Sequence, residues 1–320
     1  MIKNTFLYAV LFAASLTFVG CSDESSDTDP TPTEPQTIVD IAKGENFTSL
    51  AAALERVNLI GTLEGPGPFT VFAPTDEAFD NLLDELKIDG LDKVSDEQLT
   101  QILLNHVVSG KVLSTDLEAG YVSTLADGAQ ETKVSLLVDL TDGVLLNKRA
   151  KVTEANVAAD NGVVHVIDEV LLVPNAVDAA VANPNFSILV AALTDERLKD
   201  ADFVKTLSGD GPFTIFAPTN AAFEALLEGN EDWSGLADIP AATLEAVLKY
   251  HVLVGDNITS GEITDGVEPT TFEGNTFTIN TTDGVVITDK GGRESKVQIT
   301  DVQTSNGVIH AISQVLLPLE

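Results

Sequence analysis

The sequence predicts an α+β protein built as two tandem copies of one domain, and three observations carry that prediction. First, long stretches of the amino-terminal half return in the carboxy-terminal half. GPFTVFAPTDEAFDNLL at 67–83 recurs as GPFTIFAPTNAAFEALL at 211–227, and NGVVHVIDEVLLVP at 161–174 recurs as NGVIHAISQVLLP at 306–318. Second, these blocks lie 144 and 145 residues apart, a whole-domain spacing rather than that of a solenoid repeat. Third, each copy reads as helices first and strands afterwards, the order of an α+β domain. Shorter matches agree: NFTSLAAAL at 46–54 with NFSILVAAL at 185–193, and NHVV at 105–108 with YHVL at 250–253.

In the first copy Phe47, Leu50, Ala51, Leu54 and Val57 recur at helical spacing after Asn46. Phe69 to Ala73 reads as a strand that Pro74 ends. Thr75 is placed to cap the next helix, with Asp76 and Glu77 in its first turn and Phe79, Leu82, Leu83 and Leu86 as its buried stripe. Ser95 with Gln98 predicts a capping box ahead of Leu99, Ile102 and Leu103. From Tyr121 onward, β-rich runs are punctuated by Asp-Gly or Asn-Gly at 127–128, 142–143 and 161–162, which are hairpin signals. Thr37 and Asn175 open the two copies, and Val173-Pro174-Asn175 joins them without a Gly/Ser spacer. A fairly fixed relation between the domains is expected. The organisation is residues 1–20 as signal peptide, 21–36 as tether, 37–174 as the first domain and 175–320 as the second.

The amino terminus reads as an export signal. Lys3 precedes an apolar run from Phe6 to Val19, shorter than the ~20 residues needed to span a bilayer. The run ends in Leu-Thr-Phe-Val-Gly-Cys, which resembles a bacterial lipoprotein signal and implies acylation of Cys21, the only cysteine. The next fifteen residues, SDESSDTDPTPTEPQ, carry five acidic residues, three prolines and no base, the composition of an extended tether. An acidic stretch in this place resembles the surface-export signal of Bacteroidota lipoproteins. It implies the outer membrane and its cell-surface side, with the periplasmic face as the alternative.

Charge excludes other partners. Fifty Asp and Glu against seventeen Lys and Arg leave a formal charge of −33. Such a body repels phosphate backbones, so no nucleic-acid partner is expected. Any membrane attachment must be hydrophobic or covalent, and the amino-terminal lipid is expected to supply it. A single cysteine allows neither an internal disulfide nor a thiolate metal cluster.

The two repeated blocks resemble the signature regions of fasciclin I domains: Phe-Thr-Val-Phe-Ala-Pro-Thr-(Asp/Asn)-x-Ala-Phe, and Asn-Gly-Val-(Val/Ile)-His-x-Ile-x-x-Val-Leu. Both occur in both copies, and the resemblance covers nearly everything from about residue 37 to 318. It implies two tandem fasciclin-like domains, each a β-sandwich wedge with helices packed along it. It also implies a non-enzymatic role in extracellular adhesion and matrix contact, with an extracellular protein or glycan as partner. The alternative is a surface lipoprotein that captures a glycan or small ligand for nutrient uptake. In animal members a Tyr-His pair flanked by aliphatics is associated with integrin binding. The matching pair here is Tyr250-His251, whereas the first copy has Asn105-His106.

The remaining candidates have structural readings. All four histidines are paired between copies, His106 with His251 and His165 with His310, each pair at the same separation. Two histidines would need a carboxylate to complete a zinc site, and no repeated acidic residue supplies it, so core histidines satisfying buried backbone groups are expected, with no metal and no cofactor. Asp76 matches Asn220, which cannot act as a base but can accept a hydrogen bond, so a shared structural role is expected. Lys148, Arg149 and Lys151, and Lys290, Arg293 and Lys296, collect scarce positive charge; pairing within hairpins accounts for them better than an acidic-glycan site. Nucleophile elbows, phosphate loops and His-Glu-x-x-His are missing, so no catalytic residues are assigned. The Asp-Gly turns also lack the ligand alternation of an EF-hand.

Overall fold

The computed structural model describes residues 36–282 and 284–319. The signal sequence, Cys21 and nearly all of the tether lie outside the described residues. The first copy opens with α1 (Ile38–Ala42), α2 (Thr48–Arg56) and α3 (Ile60–Leu63), followed by β1 (Phe69–Pro74), α4 (Asp76–Leu86) and α5 (Asp96–Asn105). Its strand-rich part holds β2 (Val107–Ser109), β3 (Gly120–Asp127), β4 (Lys133–Asp139), β5 (Leu145–Leu146), β6 (Ala150–Ala159) and β7 (Gly162–Ile167). The second copy repeats the order with α6 (Ala176–Ala182), α7 (Ser187–Leu193), α8 (Phe203–Leu207), β8 (Phe213–Pro218), α9 (Asn220–Glu228) and α10 (Ala241–Tyr250). Its strands close with β9 (Val252–Val254), β10 (Thr278–Asn280), β11 (Val286–Thr288), β12 (Glu294–Thr304) and β13 (Gly307–Ile312).

Local sequence explains most helix starts. Thr37 and Asn175 cap α1 and α6, and each donates its own backbone N–H to the Asp40 or Asp178 carboxylate, which completes a capping box. Thr75 and Thr219 accept from the backbone N–H of Ala78 and Ala222. Ser95 accepts from Gln98 N at 3.2 Å, and its hydroxyl donates to the Gln98 side chain, so the cap is present without the return bond to the backbone. One expectation is corrected. Leu86 ends α4 44% exposed, outside the stripe formed by Ala78, Phe79 and Leu82. Pro74 is the last residue of β1, still paired with Ile167 of β7, so the strand stops where the sequence places its end.

The strand β1 is central, antiparallel to β2 and parallel to β7. Its alternation divides the domain into two cores. Val71 and Ala73 face the helices with Phe79, Leu99 and Leu103, whereas Phe72 faces the interior of the strand layers with Leu136, Leu146 and Ile167. The second copy repeats this with Ile215 and Ala217 on the helical side, and Phe216 opposite with Phe277, Ile287 and Ile312. The Asn-Gly pairs sit at hairpins, as expected: Asp160-Asn161 turns β6 into β7 and Ser305-Asn306 turns β12 into β13, with Ala159 opposite Gly162 and Thr304 opposite Gly307. Gly162 and Gly307 are the first residues of β7 and β13, where an added Cβ would lie 2.0 and 2.3 Å from the carbonyl oxygens of Phe69 and Phe213. Only glycine fits such a close strand approach.

The copies differ in closure. In the first, all seven strands join into a closed ring, β3 reaching β2 through the pair Val108–Thr124. The second forms an open six-stranded sheet among the described residues, in the order β10-β11-β12-β13-β8-β9. Phe272 N donates to Val252 O of β9 at 2.7 Å, but the chain about Pro269 forms no strand. Around it only isolated bridges Val267–Ile279 and Thr270–Thr276 form.

The two domains meet across a polar seam. Thr132 donates to the Gln303 side chain at 2.8 Å, Gln303 N donates to Ser135 Oγ at 3.0 Å, and Asn183 donates to the Tyr121 hydroxyl at 2.8 Å. Ser305 N bonds the carbonyl of the junction residue Pro174 at 2.8 Å. Asn257 Oδ1 and Gln303 Nε2 are buried without a protein partner, an acceptor and a donor of the kind a bridging water satisfies.

Candidate functional site

The repeated polar residues are the natural candidates for a site, and the structure places each against backbone. His106 closes the last turn of α5. Its Nδ1–H donates to the Ile102 carbonyl at 2.7 Å, and its Nε2 accepts from Leu171 N at 2.8 Å. His251 repeats this at the end of α10, donating to Val247 O at 2.7 Å and accepting from Leu316 N at 2.9 Å. Each ring therefore staples a helix end to the segment that follows the last strand of its domain. Burial drives both pKa values down from 6.5 to about 4, against the raising effect of the bonds to Ile102 and Val247.

His165 and His310 use the opposite tautomer. His165 Nε2–H donates to Val112 O at 3.0 Å, while Nδ1 accepts from Asn156 N at 3.2 Å. His310 donates to Ile258 O at 2.9 Å and accepts from Asp301 N at 3.3 Å. Asn156 and Asp301 stand at bulges of β6 and β12 with φ of 64° and 61°, a left-handed backbone that Asn and Asp tolerate. The rings stack on Phe72 and Phe216 at 5.5 and 5.4 Å. Burial lowers both pKa values. His106 joins the helical core, whereas His165 lies with Phe72 on the other face of β1. The equal separation in sequence thus does not bring the two rings to one point. Every histidine ring nitrogen has a backbone partner, and among the described residues no three His, Cys, Asp or Glu side chains converge as metal ligands.

Asp76 and Asn220 perform one task with two chemistries. Asp76 accepts from Thr48 N, Thr48 Oγ1 and Ser49 N at 3.2, 2.8 and 2.7 Å, capping α2 from the neighbouring helix. Asn220 accepts from Ile188 N at 2.9 Å and donates to Pro184 O and Ser187 Oγ, clasping the start of α7. Partial burial raises the Asp76 pKa, but the bonds from Ser49 and Thr48 outweigh it and hold the carboxyl below its ordinary value.

Asn161 and Asn306 went unrecognised in the sequence as more than turn residues. Asn161 donates to Leu63 O and Gly65 O and accepts from Ile38 N at 3.0 Å, while Asn306 donates to Leu207 O and Gly209 O and accepts from Ala176 N at 2.9 Å. Each ties the first helix of its domain to the segment before its central strand. Their matched recurrence beside Gly162 and Gly307 was the available signal.

The expectation for Tyr250 and His251 is corrected. Tyr250 is fully buried with its hydroxyl on Thr276 O at 2.8 Å, edge-on to Phe277, and His251 is 3% exposed. The pair presents no contact surface, because the aromatic ring fills the interior that Asn105 and Thr124 occupy with a hydrogen bond in the first domain. Four of the six candidate basic residues are engaged in ion pairs: Lys148 with Asp139, Arg149 with Glu85 and Glu169, Lys290 with Glu268, and Arg293 with Asp289. Cys21 lies outside the described residues.

Comparison with known proteins agrees with this doubled architecture. The Fasciclin domain model matches twice, over residues 45–174 and 184–318. Human periostin is 36% identical over 263 residues, spanning 80% of this chain and 29% of periostin. The pig transforming growth factor-beta-induced protein ig-h3 is 31% identical over 258 residues, 80% of this chain and 35% of that protein. The chain thus spans about a third of the length of these two relatives. Protein sll1483 of Synechocystis sp. is 41% identical over 139 residues, 43% of this chain and 74% of its own length. Among solved structures, a FAS1 domain pair from the insect cell adhesion molecule fasciclin I is similar at a TM-score of 0.47 and 21% identity. That likeness covers 87% of this chain and 94% of the other.

Proposed function

The chain belongs to the fasciclin domain family, and from that premise we propose that it is a non-enzymatic, surface-anchored module for adhesion or extracellular binding. One observation carries the reading. The polar residues matched between the signature blocks, namely the four histidines, Asp76 with Asn220, and Asn161 with Asn306, are all engaged in holding backbone in both domains. A general base needs a free lone pair within reach of a substrate proton, and these groups have theirs occupied. What the fold offers a partner is therefore surface, borne on two domains joined by a polar seam.

The anchor belongs to the same proposal. Acylation of Cys21 would hold the pair on the outer membrane, with the acidic segment 22–36 as a spacer carrying it away from the lipid on the cell-surface side. The test has two arms. Residues 37–320, as a soluble fragment, are screened against arrays of matrix proteins and of glycans, with binding to a protein expected. Binding to glycans alone would favour the nutrient-capture alternative, and turnover of a substrate would sink the non-enzymatic reading. In cells, wild type should partition with membranes and be cut by external protease, whereas Cys21→Ser should be lost from the membrane fraction. Membrane retention of the serine variant would remove the lipid anchor.

A further inference from the structure

The two domains share a framework but not a surface. On α5 of the first domain Glu97 and Gln98 are exposed, and Gln101, half-buried, accepts from Asp127 N at 2.7 Å. The matching positions of α10 hold Ala242, Thr243 and Ala246. Since one framework carries both sets, the fold does not require alanine there. These small side chains form the floor of an open groove of about 650 Å³ in the second domain. Leu226, Trp233, Pro240 and Leu319 line its walls, and Leu319 is 58% exposed. Trp233 is the only tryptophan of the chain.

The charges around the groove select the occupant. Glu231 and Asp232, both exposed, run directly into Trp233, and Glu273 lines the far side. Arg293 is the one cation in the lining, and its guanidinium is held by Asp289 and by the Leu317 carbonyl. The result is an apolar floor with an acidic rim on a chain of net charge −33. A second copy would bring the same charge and be repelled. The complement is a segment whose apolar side chains fill the floor while its own cations meet the rim.

We propose that this groove is a docking site for a protein segment presenting apolar side chains flanked by lysine or arginine. The proposal rests on the binding-module reading and assigns it to one face of the second domain. Trp233 makes the site observable, because its emission reports the groove alone. The full chain is titrated with a tryptophan-free synthetic helix of leucines and lysines at amphipathic spacing. An oligolysine of equal charge and a leucine–glutamate helix serve as comparisons. A saturable blue shift of Trp233 is expected with the leucine–lysine helix, with affinity at least about tenfold weaker for both comparisons.

The double variant Thr243→Gln with Ala246→Gln fills the floor without changing charge, using the residues that α5 already carries as Gln98 and Gln101 on the same framework, so it should fold, with circular dichroism to check. It should bind the helix at least about tenfold more weakly. An unmoved Trp233 emission, equal binding of oligolysine, or undiminished binding by the double variant would overturn the proposal. In any of those cases a positive matrix-protein array would leave the binding-module reading standing, with its surface elsewhere.

Discussion

Acidification should weaken each domain through its helix-end histidine, and the size of the effect follows from the ring's environment. The His251 pKa falls from 6.5 to about 4 on burial, because protonating Nε2 would break its bond from Leu316 N and place a charge in the core. The folded value lies below the unfolded one, so the associated stability is complete above pH 6.5 and is lost as pH falls towards 4. Linkage with these two values gives a loss of about 2 kcal/mol between pH 7 and pH 5 for this ring, and the same for His106 in the first domain. Burial also lowers His310, which adds to the slope in the same direction. The assay is urea unfolding at several pH values, followed by Trp233 emission for the second domain. His251→Gln should be less stable at pH 7 by about 1–3 kcal/mol, yet lose less on acidification than wild type. A wild-type stability that is flat from pH 7 to 5, or an unchanged slope in His251→Gln, would refute the reasoning.

Three further outcomes follow from named contacts. Asp76→Ala should cost about 1–2 kcal/mol by uncapping α2, whereas Asp76→Asn should be nearly neutral because Asn220 performs the same task; equal losses in denaturant titrations would contradict this. Gly307→Ala should destabilise the second domain by about 1–3 kcal/mol or more, since its methyl group meets the Phe213 carbonyl in a packed strand pair; an unshifted urea midpoint would count against that geometry. A double-mutant cycle between Thr132→Val and Gln303→Ala should give a coupling of about 0.5 kcal/mol or more across the seam. Additivity would mean that the domains behave as independent bodies.

Much of the framework was legible because its signals are local. Thr75 and Ser95 announced their helices through side chains that reach only three residues ahead, and the Phe69–Ala73 run marked the central strand. The structural use of the histidines was legible in kind, since paired rings on apolar faces have few other fates, but their partners were not. Leu171 N lies 65 residues beyond His106, and the bulge at Asn156 that feeds His165 breaks strand periodicity rather than following it. Asp76 read as a first-turn acid of its own helix, whereas it caps a helix 28 residues earlier. Tyr250 misled in another way. A tyrosine carries both a polar handle and a large apolar ring, and only the packing against Phe277 decides that the ring is interior.

The central claim is that the repeated histidines are structural, each with both ring nitrogens bound to backbone. Long-range proton–nitrogen correlation spectra of nitrogen-15-labelled protein at pH 7 test it most directly. The structure predicts two rings fixed as the Nδ1–H tautomer, His106 and His251, and two as the Nε2–H tautomer, His165 and His310. His106 and His251 should stay neutral at pH 5, and zinc should move no ring signal. Tautomer averaging, titration of His106 or His251 near pH 6.5, or signals that shift on adding zinc would contradict the account.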